Sequence, residues 1–347
     1  MIQRITIVLG IIGILFLTGL DGHGQVAQRK ISKKQQAYID SLRLVEYDYV
    51  FPVLGQQAYN QGFDIPYPAG IMANYIWMDQ GIIIDNFQLG IESPNLDIPL
   101  SPADFIGFGE NRNTSYAFNV RPDLWIFPFL NVYGLFGYGS STTEVNLVEP
   151  VQMKSVVQQQ MSTAGFGLMG AFGLGPLWLS VDANWTWTKP ELLEDPVGVR
   201  VLGVRLGHTH QFRDHPEKNI GIWVGGMRAR MGSSTLGSVR MEDAIPQETW
   251  DRVDEIVDDY TTWYEALDPV KKAIVDNSAF PAFIEALDAR DGSTLIQYGM
   301  DKSPVQEWNV VIGGQFQLNK RWQFRTEGGI IGDRKSFLIS ANYRFRI

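Results

Sequence analysis

Alternation between apolar and polar residues is the feature that most limits what this chain can fold into. From Gln306 to Leu318 the even positions are Trp308, Val310, Ile312, Gly314, Phe316 and Leu318. The odd positions are Glu307, Asn309, Val311, Gly313, Gln315 and Gln317. After Asn319-Lys320, Trp322, Phe324, Thr326 and Ile330 alternate with Arg321, Gln323, Arg325 and Glu327. After Gly332-Asp333-Arg334, Phe337, Ile339, Ala341, Tyr343, Phe345 and Ile347 alternate with Ser336, Ser340, Asn342, Arg344 and Arg346. Successive strand side chains point to opposite faces, so these segments are long hairpin strands with one apolar and one polar face.

The pattern recurs upstream, in 177–188 and 116–126, and less cleanly in 69–78, 80–92, 129–147, 160–173, 197–212 and 218–231. The segments run 10 to 17 residues, against about 5–6 for a typical globular strand. A tilted strand needs about 9–11 residues to cross a bilayer. Aromatic residues cluster at strand ends, among them Trp185, Trp187, Phe127, Phe129, Trp308 and Trp322, where interfacial girdles of transmembrane barrels lie. A large secreted β-sandwich is the alternative, since it alternates too.

The N-terminus bears on the same choice. Met1–Arg4 is short and basic, Ile5–Leu20 is apolar, and Gly22-His23-Gly24 follows. This is the layout of a signal peptide over residues 1–24. The apolar run, 16 residues, falls short of the ~20 of a spanning helix, which argues against a membrane anchor. No later stretch reaches 18 consecutive apolar residues. The chain has no cysteine, which excludes a disulfide scaffold, a thiolate zinc site, an iron–sulfur cluster and a lipoprotein anchor. Its formal charge is −9, unsuited to gripping nucleic acid.

With these hairpins and the terminal Tyr343-x-Phe345-x-Ile347, the chain resembles a Gram-negative outer-membrane β-barrel protein of porin-like kind. The family usually ends in an aromatic residue, whereas here Phe345 stands two before the last. The resemblance implies an all-β fold, an antiparallel transmembrane barrel over 69–347 in the outer membrane, preceded by a periplasmic lead-in segment, 25–68. It further implies both termini in the periplasm and short periplasmic turns. Turns at 319–320, 213–217, 174–175, 127–128 and about 79 fall on one side, and the connections 232–304, 189–196, 147–160 and 93–114 on the other. Eleven strands are counted. Parity then asks for a further strand within 45–58, making twelve, or the loss of 69–78, making ten; twelve is preferred.

Residues 232–304 break the alternation. Gln247–Leu267 has helical 3/4 spacing, and shorter helices are expected at Val270–Asp276 and Ala282–Ala289. Between Glu242 and Asp291 there are 14 carboxylates and four Lys and Arg. This helical insertion is expected outside, as a solvated cap or as a plug or gate whose acids dock on Arg228 and Arg230. Asp251, Asp254, Glu255 and Asp258 share a helix face and are the candidate gate residues. They are also candidates for calcium, although no EF-hand loop spacing is present.

The polar faces assign charges to the lumen: Arg121, Asp123, Asp182, Arg205, Glu307, Arg325, Glu327 and Arg344. They either neutralise one another and fill the barrel or line a permeation path; both require pairing or water. His208, His210 and His215 lack the converging ligands of a metal site. Barrel enzymes similar to this architecture use Ser with His, but no acid stands near His208, so no catalytic residue is assigned. Gly165-x-Gly167-x-x-Gly170 lies within a strand rather than in a phosphate loop. The expected function is a passive channel or transporter for small polar or amphipathic solutes. The alternatives are a structural or partner-binding barrel using the acidic cap, and a lipid-acting enzyme. Outer-membrane lipid and a small solute are the expected partners, with no cofactor, metal or nucleic acid.

Overall fold

The computed structural model describes residues 33–347 apart from 95, 175, 176 and 233. The expected signal peptide, 1–24, lies outside them. The strands are β1 (Ala69–Ser93), β2 (Leu96–Pro102), β3 (Gly107–Phe108), β4 (Asn111–Phe127), β5 (Leu130–Glu149), β6 (Met153–Leu174), β7 (Leu177–Pro190), β8 (Val197–Gln211) and β9 (Asn219–Met231). They continue with β10 (Ser234–Arg240), β11 (Leu295–Pro304), β12 (Trp308–Gln317), β13 (Trp322–Ile331) and β14 (Lys335–Phe345). Ten of them close a circuit, β1-β4-β5-β6-β7-β8-β9-β12-β13-β14 and back to β1, with every pair antiparallel. Closure runs from Ala69↔Phe345 to Asp79↔Lys335 on one side of β1 and from Ala69↔Leu124 to Ile82↔Asn111 on the other. A closed barrel leaves no unpaired strand edge around its wall.

The barrel therefore has ten strands, not the preferred twelve. The expected turn near 79 does not exist: β1 is one strand of 25 residues. Asp79-Gln80-Gly81 reads as a turn, but its polar groups are satisfied across strands. Asp79 pairs with Arg112 and accepts from Thr114 Oγ1 at 2.7 Å, and the Gly81 N–H donates to Asp333 at 2.6 Å. No strand forms in 45–58 either; α2 (Gly55–Asn60) follows α1 (Lys33–Arg43) there. This lead-in packs at the rim where the chain ends, through Lys320–Asp64 at 3.0 Å and Arg346 to the Tyr67 hydroxyl at 3.0 Å.

The wall inverts the usual burial. Outward positions such as Ile71, Phe136, Ile222 and Ile312 are about half exposed, while Asn74, Asn131, Ser340 and Asn342 are buried inside. Aromatic rings ring both ends. Trp322, Phe324 and Phe212 stand outward at the terminal rim, and Trp308, Trp187 and Tyr116 toward the opposite one.

Beyond that opposite rim the strands continue into a cap. The expected loop at 147–160 is instead strand, with β5 and β6 paired as far as Leu147↔Met153. The insertion is bounded by β10 and β11, which pair with each other, and β11 pairs with the upper part of β1. Between them lie α3 (Met241–Ala244), α4 (Gln247–Trp250), α5 (Val253–Glu265), α6 (Pro269–Asp276) and α7 (Phe280–Asp288). The helix expected over 247–267 is thus broken between Trp250 and Val253. The protein's hydrophobic core sits here: Val253, Ile256, Phe280 and Leu287 bury against Ile91 of β1 and Val151 of the β5–β6 turn. Each such side chain contributes roughly 1.5–3 kcal/mol on burial, so the insertion is fastened to the strands rather than loosely tethered.

Candidate functional site

Inward positions near the terminal rim carry one continuous polar network. Arg205 of β8 reaches across the lumen to Glu327 of β13 with two parallel bonds, Nε to Oε2 at 2.6 Å and Nη2 to Oε1 at 2.8 Å. It also pairs with Asp182 of β7. Glu327 accepts further bonds from Arg325 at 2.8 Å and the Trp223 indole at 2.7 Å. From Asp182 the chain continues through Asn184, at 3.3 Å, to the Tyr133 hydroxyl, at 2.6 Å from Asn184. The Arg121 guanidinium stacks 3.7 Å from the Tyr133 ring centroid and donates to Asn131 at 3.2 Å. Asn131 donates to Asp123 at 2.8 Å, and Asp123 accepts from Arg344 at 3.0 Å. Arg344 also donates to the carbonyls of Tyr67 and Pro68, tying the lead-in to the lumen. Such charges are tolerated in low dielectric only when paired and hydrogen-bonded.

The network brings together Arg121, Asp123, Asp182, Arg205, Arg325, Glu327 and Arg344. Glu307 is not part of it. It precedes β12 at the insertion rim and pairs with Arg228 and Arg230, both at 2.6–2.7 Å. Arg228 follows Ile220, Ile222 and Val224 in the outward alternation of β9, so the strand parity that put Glu307 inside ends before this rim. Sequence reasoning missed Asn131, Tyr133 and Trp223, whose strands lacked a clean face, and passed over Asn184, which stands on the clean polar face of β7 but carries no charge. Gly167 belongs to the same account: a Cβ there would run into the Tyr133 ring and the Asn184 amide.

Toward the insertion rim the network gives way to a chamber of about 380 Å³. Threonines and methionines are the commonest residues on its wall, among them Met78, Met161, Met227, Thr163 and Thr188, beside Ile, Val and Leu. Methionine packs adaptably against varied shapes. Lys302, Arg334 and Arg230 also line it, and among the described residues no Asp or Glu does. A smaller cavity of about 110 Å³ lies in the cap, walled by Phe87, Leu89, Phe283 and Met300. The two share Thr143, Gln159 and Lys302.

The acidic face of the insertion does not dock on the barrel. Asp251, Asp254, Glu255 and Asp258 are exposed. Asp254 pairs with Arg290 at 2.9 Å and Glu255 with Arg252 at 2.9 Å, both within the insertion. The expected partners Arg228 and Arg230 are held by Glu307 instead. His215 contacts Glu217 at 3.2 Å in the exposed β8–β9 turn, and the His210 ring packs edge-on to Phe212.

No family model matches this chain, and no curated protein matches it. Solved structures similar to it are outer-membrane barrels. The β domain of the Bordetella autotransporter BrkA aligns over 80% of this chain and 100% of its own, at 9% identity and a TM-score of 0.36. The translocator domain of the autotransporter NalP from Neisseria meningitidis aligns over 83% and 92%, at 10% identity and 0.34. The toluene transporter TodX of Pseudomonas putida aligns over 81% and 91%, at 7% identity and 0.26.

Proposed function

We propose that the protein is an outer-membrane barrel that takes a small amphipathic solute into its interior and is closed at rest, rather than a standing pore. Support for the membrane comes from the wall itself. Its belt of half-exposed Ile, Phe and Val side chains is costly in water and suited to lipid, and aromatic girdles frame it. The insertion then faces the exterior and the termini the periplasm. The observation that carries the reading is the chamber between an ionic network and a cap: a space for a solute, bounded on both sides.

Vesicles holding the refolded full chain are expected to retain potassium chloride and show no steady single-channel conductance, while small amphipathic solutes enter faster than in protein-free vesicles. A stable open-channel current from the full chain would overturn the closed resting state. Solute entry equal to that of protein-free vesicles would overturn transport.

A further inference from the structure

The chamber's charge is one-sided. Of the three cations on its wall, Arg230 is already paired with Glu307 at 2.7 Å. Arg334 is buried, donates Nε to Gln80 at 2.8 Å, and leaves Nη1 without a hydrogen-bond partner among the described residues. Lys302, on β11 opposite Ile84, has no hydrogen bond or ion pair among the described residues, only the Tyr298 ring 6.0 Å from its ammonium. A cation without a counter-ion is costly when buried, as Arg334 is, and less so when half-buried, as Lys302 is. Nothing on the chamber wall offsets it. The apolar cavity of the cap opens from the same lysine, so the charge sits at the joint between a mostly apolar chamber carrying scattered hydroxyl and amide groups and a smaller, still more apolar one.

We propose that the chamber binds an organic carboxylate with an apolar body, its anion held by Lys302 and its tail in the cavity beneath α7, with Arg334 adding positive charge elsewhere on the chamber wall. The reading rests on solute entry into the barrel and adds the chemical class. Phe87, Leu89, Phe283 and Met300 supply surface for an alkyl or aryl tail. Thr143 and Gln159, on both cavities, supply hydrogen bonds beside the head group. Without a carboxylate on the wall, an ammonium-bearing solute finds no partner and is repelled.

The test uses the full chain refolded in maltoside detergent with dansyl-labelled undecanoic acid as the fluorescent probe. Decanoate and decanol, which share a chain and differ in charge, serve as competitors. In the unaltered protein decanoate is expected to displace the probe on the order of 10- to 100-fold better than decanol, the value of a charge-assisted hydrogen bond. Lys302→Met should remove that preference while leaving decanol unchanged, and Lys302→Arg should keep most of it. Equal displacement by both competitors, or a preference untouched in Lys302→Met, would overturn the carboxylate assignment. Thr188→Trp, which fills the chamber, separates the two readings. If it abolishes probe binding while decanoate and decanol compete equally, the chamber holds solute but the charge selects nothing. If it leaves binding intact, the probe sits elsewhere, and solute entry through the chamber falls with the carboxylate assignment. Slower gel migration on heating verifies the fold of each variant.

Discussion

Glu327 accepts from two arginines and an indole at once, and its neighbours make it costly to lose. Glu327→Gln leaves Arg205 and Arg325 facing Asp182 alone; an uncompensated buried charge costs roughly 3–5 kcal/mol. Replacing Arg205 and Glu327 together, by Met and Leu, keeps the remaining pair balanced. Urea unfolding in lipid is expected to show the double variant less destabilised than Glu327→Gln. Additive losses would mean that the pair is not coupled. Lys302 behaves oppositely. It lies on β11 in the cap, outside the barrel wall, and burial lowers its ammonium from 10.5 to about 8. Between those values the unfolded chain keeps a proton that the folded chain has lost, so stability rises with pH across the window. Lys302→Met should flatten that rise. Decanoate binding should fall over the same range, because Tyr298 beside Lys302, pushed up to about 12, and Arg334 elsewhere on the chamber wall do not change charge there. A pH-independent affinity would separate Lys302 from the anion. Neither this lysine nor Arg334 was legible in the sequence. One lay inside a segment read as helical insertion, and the other in a turn triplet where burial leaves no trace.

The strands were most legible where one face points outward from the barrel, which the proposed function assigns to lipid, and the other into the lumen, as in β7, β12, β13 and β14. There the two environments impose period two on every residue. Ile339, outward on β14, and Thr188, on the chamber wall of β7, test this directly. On the proposed membrane placement, Ile339→Arg should cost ~2–4 kcal/mol near the midplane, and Thr188→Arg much less, because its head group enters the lumen, beside the hydroxyls of Thr163 and Thr186, rather than lipid. Equal losses in lipid-vesicle unfolding would place the two residues on the same kind of surface. Legibility failed where strands leave the wall. β1, β5 and β6 run on into the cap, where both faces can be buried, and the alternation blurs although the pairing continues. Polar residues bound across strands, as Asp79 is by Arg112, then imitate a turn, which produced the miscounted strand.

Across the whole molecule, charge and closure divide between two ends. The excess negative charge is confined to the insertion, as its sequence indicates. Its acids face solvent and pair locally, so electrostatic docking does not hold the cap. Apolar packing on Ile91 and Val151 does. The interior runs the other way, with four arginines and three carboxylates in the network and unpaired cations in the chamber above it. Two barriers in series predict a specific pattern. Arg240 and Leu295 are paired across β10 and β11, so residues 241–294 can be replaced by Asn-Gly, a two-residue hairpin turn. None of the ten-strand pairings uses the removed residues, so the shortened chain should still migrate as a heat-sensitive barrel, though with apolar cap surface exposed. It should not conduct, because the network still spans the lumen. Arg205→Ser with Glu327→Ser in the full chain should conduct little, because the cap remains. Combining the two changes should give a steady single-channel current in planar bilayers. If cap removal alone opens the barrel fully, the network is no barrier and the insertion alone closes it. If even the combination stays shut, the lead-in segment that Arg344 ties down through Tyr67 and Pro68 is the third closure, and cutting that tie would be required to open the barrel.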